Sequence, residues 1–210
     1  MITTSKLKNA LGDNLASETS VVTPERYATG LTSYDEWMAK IPERNEEFQG
    51  HFDDYEPDAD DIAAVKALVE AHGVKVMTIG EHWCPDVWRG LPVAAKVADA
   101  AGMEHRIFFR DQNKDIMSEF LKDGEFESIP AIVFYDGEHN YLGHWIERPV
   151  LANEQMQEIR ARVMPDGAPP EGPERDALMT EYRAETAKLA GDWRHESLKE
   201  WRALLEAKLG

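Results

Sequence analysis

The chain has 210 residues, of which 42% are hydrophobic and 30% are charged. This composition suits one globular domain of ordinary size with an appendage, and it excludes a fibrous or wholly disordered protein. Acidic residues outnumber basic ones by 40 to 23, which leaves a formal net charge of −17. Because the few basic residues are scattered along the chain, a polyanion would be repelled, and we expect no nucleic-acid partner.

The sequence also bears on where the protein resides. It has no apolar run long enough to cross a membrane, and residues 1–20 lack the apolar core of a secretory signal. We therefore expect no membrane association and a cytoplasmic location. The single cysteine, Cys84, cannot form an internal disulfide, which also fits a reducing compartment.

Changes in composition along the chain predict five parts. They are a loose N-terminus over residues 1–20, an N-terminal helical extension over 21–57, an α/β domain over 58–163, a linker over 164–173 and a C-terminal helical segment over 174–210. The linker is predicted because four prolines and two glycines fall within residues 165–173, a composition that no helix can cross.

Two helices are predicted in the N-terminal extension. Thr32 or Ser33 is suited to cap the first, which runs through Ile41. The second is rich in polar residues but carries aromatic side chains, which need an apolar surface to pack against.

The segment from residue 58 to residue 163 alternates between helix and strand patterns. The predicted elements are a helix over 58–72, a strand over 74–79, a helix over 85–101, a strand over 104–109, a helix over 114–121, strands over 131–135 and 140–146, and a helix over 149–163. This order predicts an α/β fold with a central mixed sheet flanked by helices. Strands joined by a helix run parallel, and the Asp136-Gly137 turn makes the last two antiparallel.

Apolar residues recur at three- to four-residue steps in the C-terminal segment, where Gly191 is predicted to separate two helices. We expect the apolar stripe, which includes Leu198, Trp201 and Leu205, to pack against the N-terminal helices or the sheet. The alternative is a homodimer formed through the terminal helices.

Cys84 lies between the strand at 74–79 and the helix that begins at Pro85. Unpaired backbone N–H groups and the positive end of the helix dipole favour the thiolate, which lowers the pKa of the thiol. The carboxylates of Glu81 and Asp86 act in the opposite direction. Since the dipole contributes about 0.3–1 kcal/mol and one pKa unit is about 1.4 kcal/mol, the opposing effects are close in size.

The residues around Cys84 suggest further roles. Trp83 is placed to cover one side of the sulfur, and Pro85 fixes φ at the first helical position without loss of a hydrogen bond. His82 is a candidate general base for the thiol. The alternative is an exposed histidine with no such role.

Three motifs at the element boundaries carry a resemblance to a known family. They are Trp83-Cys84-Pro85-Asp86-Val87 after the first strand, Asp111-Gln112-Asn113 after the second and Ser128-Ile129-Pro130 before the third. Over roughly residues 60–163 the chain resembles the thioredoxin superfamily, and W-C-P-D-V is similar to a bacterial group of single-cysteine thioredoxin family proteins. The resemblance implies a thioredoxin-like fold, a cis Ile129-Pro130 bond against the sulfur, and an Ile129 backbone that pairs with an extended peptide.

The sequence departs from the family pattern at two positions. Disulfide reductases with the thioredoxin fold use C-x-x-C, in which the second cysteine resolves a mixed disulfide. Here the second position is Val87. The buried acid of the family, six residues before the first cysteine, is replaced by Thr78. A dithiol cycle within one chain is therefore excluded, and we do not expect a general disulfide reductase.

Three functions remain open. The first is monothiol redox chemistry, in which Cys84 attacks a disulfide, a peroxide or a small thiol conjugate, and an external thiol resolves the mixed disulfide or sulfenic acid. The second is a non-catalytic binding or adaptor module that uses the groove beside Pro130. The third is an oxyanion reductase or a conjugating enzyme for a cofactor thiol, which would need basic residues such as Arg89 and Arg110 near the thiol.

Site roles follow from the monothiol hypothesis. The predicted catalytic residues are Cys84 as nucleophile, Asp86 in proton transfer or in the selection of basic partners, and His82. The predicted substrate-binding residues are Trp83, Pro85, Ile129, Pro130 and Arg110. Partners would be a protein thiol or disulfide or a small thiol, with a low-molecular-weight thiol as the one co-substrate. One cysteine with scattered histidines does not build a tetrahedral site, so we expect no metal, and we expect no cofactor.

Overall fold

The computed structural model describes residues 20–210, so the predicted loose N-terminus lies, except for Ser20, outside the described residues. Helices α1 to α9 span Pro24–Tyr27, Tyr34–Lys40, Asn45–Asp53, Ala59–His72, Pro85–Ala101, Lys114–Met117, Val150–Val163, Pro173–Ala187 and Ala190–Leu209. Strands β1 to β4 span Lys75–Gly80, Glu104–Phe109, Ala131–Tyr135 and Tyr141–Ile146. The predicted α/β fold with a central mixed sheet flanked by helices is confirmed.

The sheet has the strand order β2-β1-β3-β4. Strands β1 and β2 are parallel, because α5 crosses over between them, whereas β3 runs antiparallel to both β1 and β4. In the N-terminal extension Leu31 forms an isolated antiparallel bridge with Ile107 on the outer side of β2. Strand β1 is thus central, and the loop that follows it lies between the ends of β2 and β3.

Local sequence signals explain where several helices begin and end. Ser33 caps α2 by accepting the N–H of Glu36, and Asp58 caps α4 with its carboxylate. Gly73 ends α4 with φ of +65°, a left-handed conformation that favours glycine. Pro85 occupies the first position of α5, where its missing N–H removes no helical hydrogen bond.

The structure corrects two boundaries. The helix predicted over 114–121 ends at Met117, because the chain turns there toward the loop that precedes Pro130. Gly191 does not separate the last two helices, since it lies in the first turn of α9 and the break falls at residues 188–189. A glycine is tolerated within a helix at modest cost, so its presence alone did not locate the break.

Aromatic residues of the N-terminal extension pack on one face of the sheet. Trp37 and Phe48 are fully buried, and the Trp37 ring stacks on Phe109 at a centroid distance of 4.4 Å. They share a core with Met77 and Ile79 of β1. The extension therefore covers this face and is part of the same hydrophobic core.

The C-terminal helix α9 covers the other face. Its apolar stripe is buried against the sheet and against α4 and α5, with Trp201 edge-on to Trp145 at 5.5 Å between ring centroids. Gly143 of β4 faces Leu204, and a Cβ there would lie 3.0 Å from a methyl of this leucine. The stripe thus packs against the sheet of its own chain, as expected, and the homodimer through the terminal helices stays a prediction.

Among residues 20–210, no helix is long and apolar enough to span a membrane. The longest, α9, interleaves its buried apolar residues with charged ones.

The burial of α9 gives a test of its role in stability. Leu205 is fully buried, so Leu205→Ala should lower the free energy of unfolding by about 2–5 kcal/mol, the cost of a core cavity of this size. Denaturant unfolding followed by circular dichroism would measure the change. The control is Lys208→Ala, an exposed residue on the same helix, which should stay within about 0.5 kcal/mol of the original protein. Equal stability of both variants would contradict the packing described.

Candidate functional site

Cys84 is the N-cap residue of α5 and is half-buried. Its N–H donates to the Glu81 carbonyl at 3.2 Å, and its carbonyl accepts the N–H groups of Val87 and Trp88 at 3.0 and 3.2 Å. These bonds fix the backbone at the junction of β1 and α5. The sulfur is therefore held at the start of the helix, where the sequence predicted it.

The cysteine lies beside Pro130, as the family resemblance implies. The Ile129-Pro130 bond is cis, and the Cys84 thiol donates a weak hydrogen bond to the Ile129 carbonyl at 3.6 Å. Helix α5 approaches Pro130 so closely that a Cβ at Gly90 would lie 2.8 Å from the proline ring. A glycine is thus required at position 90 for the thiol and Pro130 to share one site.

Val87, which stands where C-x-x-C proteins have their second cysteine, is part of the hydrophobic core. Val87 is fully buried, and a Cβ on Gly80 of β1 would lie only 2.7 Å from one of its methyl groups. Thr78, at the position of the family acid, is buried and hydrogen-bonded to His105 Nε2 at 2.8 Å. Burial lowers the pKa of His105 to about 3, so this histidine is neutral near pH 7. Neither position holds a group that could exchange a proton with the thiol near neutral pH.

The pKa of the Cys84 thiol is raised above its ordinary value. The main cause is burial, and the carboxylates of Asp86 and Glu147 add to it. Backbone N–H groups of Val87 and Asp86 act in the opposite direction but do not prevail. The helix N-terminus favours the thiolate and the carboxylates oppose it, and burial adds to the effect of the carboxylates. The protonated thiol is therefore favoured.

Asp86 is engaged in ion pairs. Its carboxylate lies 2.6 Å from Arg148 Nη2 and 3.4 Å from Arg89 Nη1. Burial raises the pKa of Asp86, and the two arginines oppose that rise. These ion pairs stabilise the fold around the site. They do not test a role for Asp86 in proton transfer or in partner selection, so that role stays a prediction.

His82 lies between two carboxylates. Its ring nitrogens are 3.7 Å from Glu81 and 4.0 Å from Glu43, and its carbonyl accepts the indole N–H of Trp88 at 2.5 Å. Burial raises the pKa of Glu81. Within residues 20–210 no hydrogen bond joins His82 to the Cys84 thiol, so its role as general base stays a prediction.

The surface beside the thiol combines an aromatic and a cationic side chain. Trp83 is 45% exposed, and the Arg110 guanidinium lies 4.9 Å from the centre of its ring. Arg110 also donates to Asp111 at 2.7 Å and to the Glu127 carbonyl at 3.3 Å. Phe126, in the loop that leads to Pro130, is 54% exposed. Pro85 is exposed in the first turn of α5.

The basic cradle required for an oxyanion or a cofactor thiol does not form around Cys84. Arg89 pairs with Asp86 and lies over the Trp193 ring at 5.9 Å, while Arg110 pairs with Asp111. Among the described residues no cluster of three metal-ligating side chains occurs.

Two residues of the site were missed at the level of sequence, Glu147 and Arg148. Glu147 has φ of +66°, and its N–H donates to the Pro130 carbonyl at 2.8 Å. Its carboxylate pairs with Lys122 at 2.5 Å, and Arg148 pairs with Asp86. Their partners lie far away in the sequence, so no local pattern marks them. Only their place in the chain could have indicated them, because they directly follow β4, the strand that pairs with β3.

The electrostatic surroundings of Cys84 predict the effect of one substitution. Asp86→Asn removes a carboxylate and leaves the Arg148 charge unbalanced, so the pKa of Cys84 should fall. Each unit of decrease raises the thiolate fraction near neutral pH about tenfold. The rate of alkylation by iodoacetamide, measured against pH, would give the shift. Asp99→Asn, exposed at the far end of α5, should leave the profile unchanged, and an unchanged profile for Asp86→Asn would contradict the assignment.

Comparisons with known proteins bear on the fold. A crystal structure of a protein of unknown function from Pseudomonas aeruginosa superimposes with a TM-score of 0.56 at 19% sequence identity, covering 86% of this chain and 95% of that one. An HIV epitope-scaffold protein gives a TM-score of 0.42 at 21% identity, covering 83% of this chain and 98% of that one. A comparison with curated proteins found no similar sequence.

The family model described as thioredoxin matches residues 31–161, which is more than half of the chain. The match begins in the N-terminal extension and ends in α7, so it contains the whole sheet together with Cys84 and Pro130. The chain therefore belongs to the thioredoxin superfamily, and its single cysteine, Cys84, lies within the matched region.

Proposed function

We propose that the protein carries out monothiol disulfide exchange at Cys84. The observation that carries the proposal is the position of the thiol, which is half-buried at the start of α5 and 3.6 Å from the Ile129 carbonyl. A peptide or small disulfide that approaches this carbonyl would bring its sulfur next to Cys84. The buried Val87 leaves no second thiol in the chain to compete with an external one.

The reaction has two balanced steps. The Cys84 thiolate attacks one sulfur of a substrate disulfide, forming a mixed disulfide, while the other sulfur leaves as a thiolate and takes a proton from water. The thiolate of an external thiol then attacks the substrate sulfur of the mixed disulfide, which forms a new substrate disulfide and returns the Cys84 thiolate. In the net reaction one disulfide is consumed and one is formed, and one thiol is consumed and one is released, so no further oxidant or reductant is needed.

Several residues around the thiol suit substrate binding. Exposed Trp83, stacked under Arg110, offers one wall, and the Ile129 and Pro130 backbone offers the other. Pro85 lies at the edge of this groove. These residues support an extended peptide segment as the protein partner.

A small thiol is supported as the external reductant. A cavity of about 590 Å³ opens between the N-terminal extension and the ends of β1 and β2. This volume is in the range of small-molecule sites. His82, two residues from Cys84, lines it together with the basic residues Arg26 and Lys40 and the acidic residue Glu81. Cys84 is not among the lining residues, so the cavity supports a small thiol that binds beside the site and reaches the sulfur from there.

The raised pKa of Cys84 sets the pH dependence of the proposed reaction. Near neutral pH most of the protein holds the thiol in its protonated, unreactive form, so exchange should be slow. As the pH rises through the raised pKa, the thiolate fraction and the rate should rise with it. A thiolate of higher pKa is also the stronger nucleophile, which offsets part of this loss.

A second candidate is a binding module that uses the same groove without redox turnover. The raised pKa of the half-buried thiol favours it, because a thiol of this kind would persist unreacted near neutral pH. In that case Cys84→Ser would bind the protein's partner as well as the original chain does. Under the exchange proposal the same substitution would remove every covalent adduct.

Adduct formation provides the direct test. Incubation with oxidised glutathione above pH 8 should add one glutathione to the protein, as seen by intact-mass spectrometry, and Cys84→Ser should gain none. A lysate treated in the same way should yield disulfide-linked partners with the original chain alone. Absence of any adduct, even at alkaline pH, would refute exchange and favour the binding module.

A dithiol variant tests why turnover is limited. The original chain should reduce insulin with dithiothreitol near the background rate at neutral pH, because its thiol is mostly protonated there and each mixed disulfide must await an external thiol. Val87→Cys should raise the rate by placing a second thiol one helical turn from Cys84, and Val87→Ala controls for loss of packing. Brisk insulin reduction by the original chain would contradict the monothiol mechanism.

A further inference from the structure

A small cavity lies behind the site, between the first turns of α5 and the C-terminal helix α9. Its volume is about 20 Å³, enough for one particle of the size of a water molecule. The charged residues that line it are Asp86, Arg89, Glu147, Arg148 and Arg194. Three guanidinium groups thus face two carboxylates, which leaves one positive charge in excess in a chain whose net charge is −17.

Arg194 is the group that lacks a counter-ion. It is only 8% exposed, and its Nη1 donates to His51 Nδ1 at 2.9 Å. Burial lowers the pKa of His51 to about 4, so this partner is neutral near pH 7. Within the described part of the chain Arg194 forms no ion pair, and its Nε–H has no hydrogen-bond partner. A buried charge in this condition is costly unless an anion neutralises it.

Arg148 presents a second unpartnered donor to the same cavity. Its Nη2 is engaged by Asp86 at 2.6 Å, and Glu147 lies at 3.7 Å. Its Nε–H is buried and has no partner among residues 20–210. Two residues that line the cavity, on different elements, therefore each have a buried guanidinium N–H donor with no acceptor in the described part of the chain.

Glu200, a buried carboxylate on the same helix as Arg194, is already bonded to other groups. One of its oxygens accepts the Trp145 indole N–H at 2.7 Å, and the other accepts the Val150 N–H at 2.8 Å. Burial lowers the pKa of Arg194, and the charge of Asp54 only partly opposes this. Among residues 20–210 no carboxylate forms an ion pair with Arg194.

Helix geometry adds positive potential at the cavity. Gly90 lies in the second turn of α5, Pro149 caps the N-terminus of α7, and Ala190 is the first residue of α9, and all three line it. The N-terminal end of a helix carries partial positive charge and unpaired N–H groups. Two such ends, those of α7 and α9, and an excess guanidinium lie around this small cavity.

We propose that this cavity binds a single small inorganic anion, chloride in a cell, held by the Nε–H groups of Arg148 and Arg194. The anion neutralises the Arg194 charge and joins α9 to the turn after β4, where Arg148 in turn pairs with Asp86 of α5. Its role is structural: it holds the C-terminal helix to the turn that contacts the first turn of α5. The site does not depend on whether Cys84 exchanges disulfides.

Thermal unfolding at constant ionic strength tests the proposal. As chloride replaces gluconate, the unfolding midpoint of the original chain should rise by about 2–4 °C and then level off, as expected for a ligand that binds the folded state. Arg194→Met should lose this chloride dependence. Arg202→Met, which removes a partly exposed, ion-paired arginine of the same helix, should keep it. A midpoint of the original chain that does not respond to chloride would overturn the proposal.

Crystals soaked in bromide give an independent measurement on the unaltered chain. An anomalous peak between the Arg148 and Arg194 side chains is the expected result. A cavity filled by water gives no such peak, and that outcome would also overturn the proposal. This experiment remains decisive if Arg194→Met does not fold.

Discussion

The close approach of helix α5 to strand β1 and to Pro130 is the constraint on which the site depends. Two glycines permit it: Gly80 leaves room for the methyl groups of Val87, and Gly90 leaves room for the Pro130 ring. Any side chain at either position would push the helix outward and separate the Cys84 sulfur from the Ile129 carbonyl. The geometry of the thiol is therefore set by packing several residues away from it, and the valine that replaces a second cysteine takes part in that packing.

Electrostatics at the thiol follows from the same burial. A helix N-terminus stabilises a thiolate by about 0.3–1 kcal/mol, less than a single unit of pKa. Desolvation and the nearby carboxylates of Asp86 and Glu147 exceed that contribution, so the pKa rises. Both carboxylates lie near Arg148, which is 2.6 Å from Asp86 and 3.7 Å from Glu147. The charges around Cys84 thus include a residue that lies 64 positions later in the sequence.

Much of the architecture could be predicted from local pattern. The boundaries of α5, β2 and β3 agree with the sequence prediction because Pro85, Gly102 and the alternation of apolar residues act within a few positions. The ion pair of Asp86 with Arg148 and the left-handed Glu147 could not be predicted, since both result from tertiary contacts with no periodicity. The net direction of the Cys84 pKa was also beyond sequence, because it depends on how much water the fold excludes from the sulfur.

The bridge between Leu31 and Ile107 has a consequence for solubility. Its two backbone hydrogen bonds, both 2.9 Å long, occupy groups on the open side of β2. An edge strand without such a cover presents free donors and acceptors on which the strand of another molecule can assemble. The N-terminal extension therefore protects the outer edge of the sheet against pairing with another molecule, and it does so through main-chain atoms that any residue other than proline at position 31 would supply.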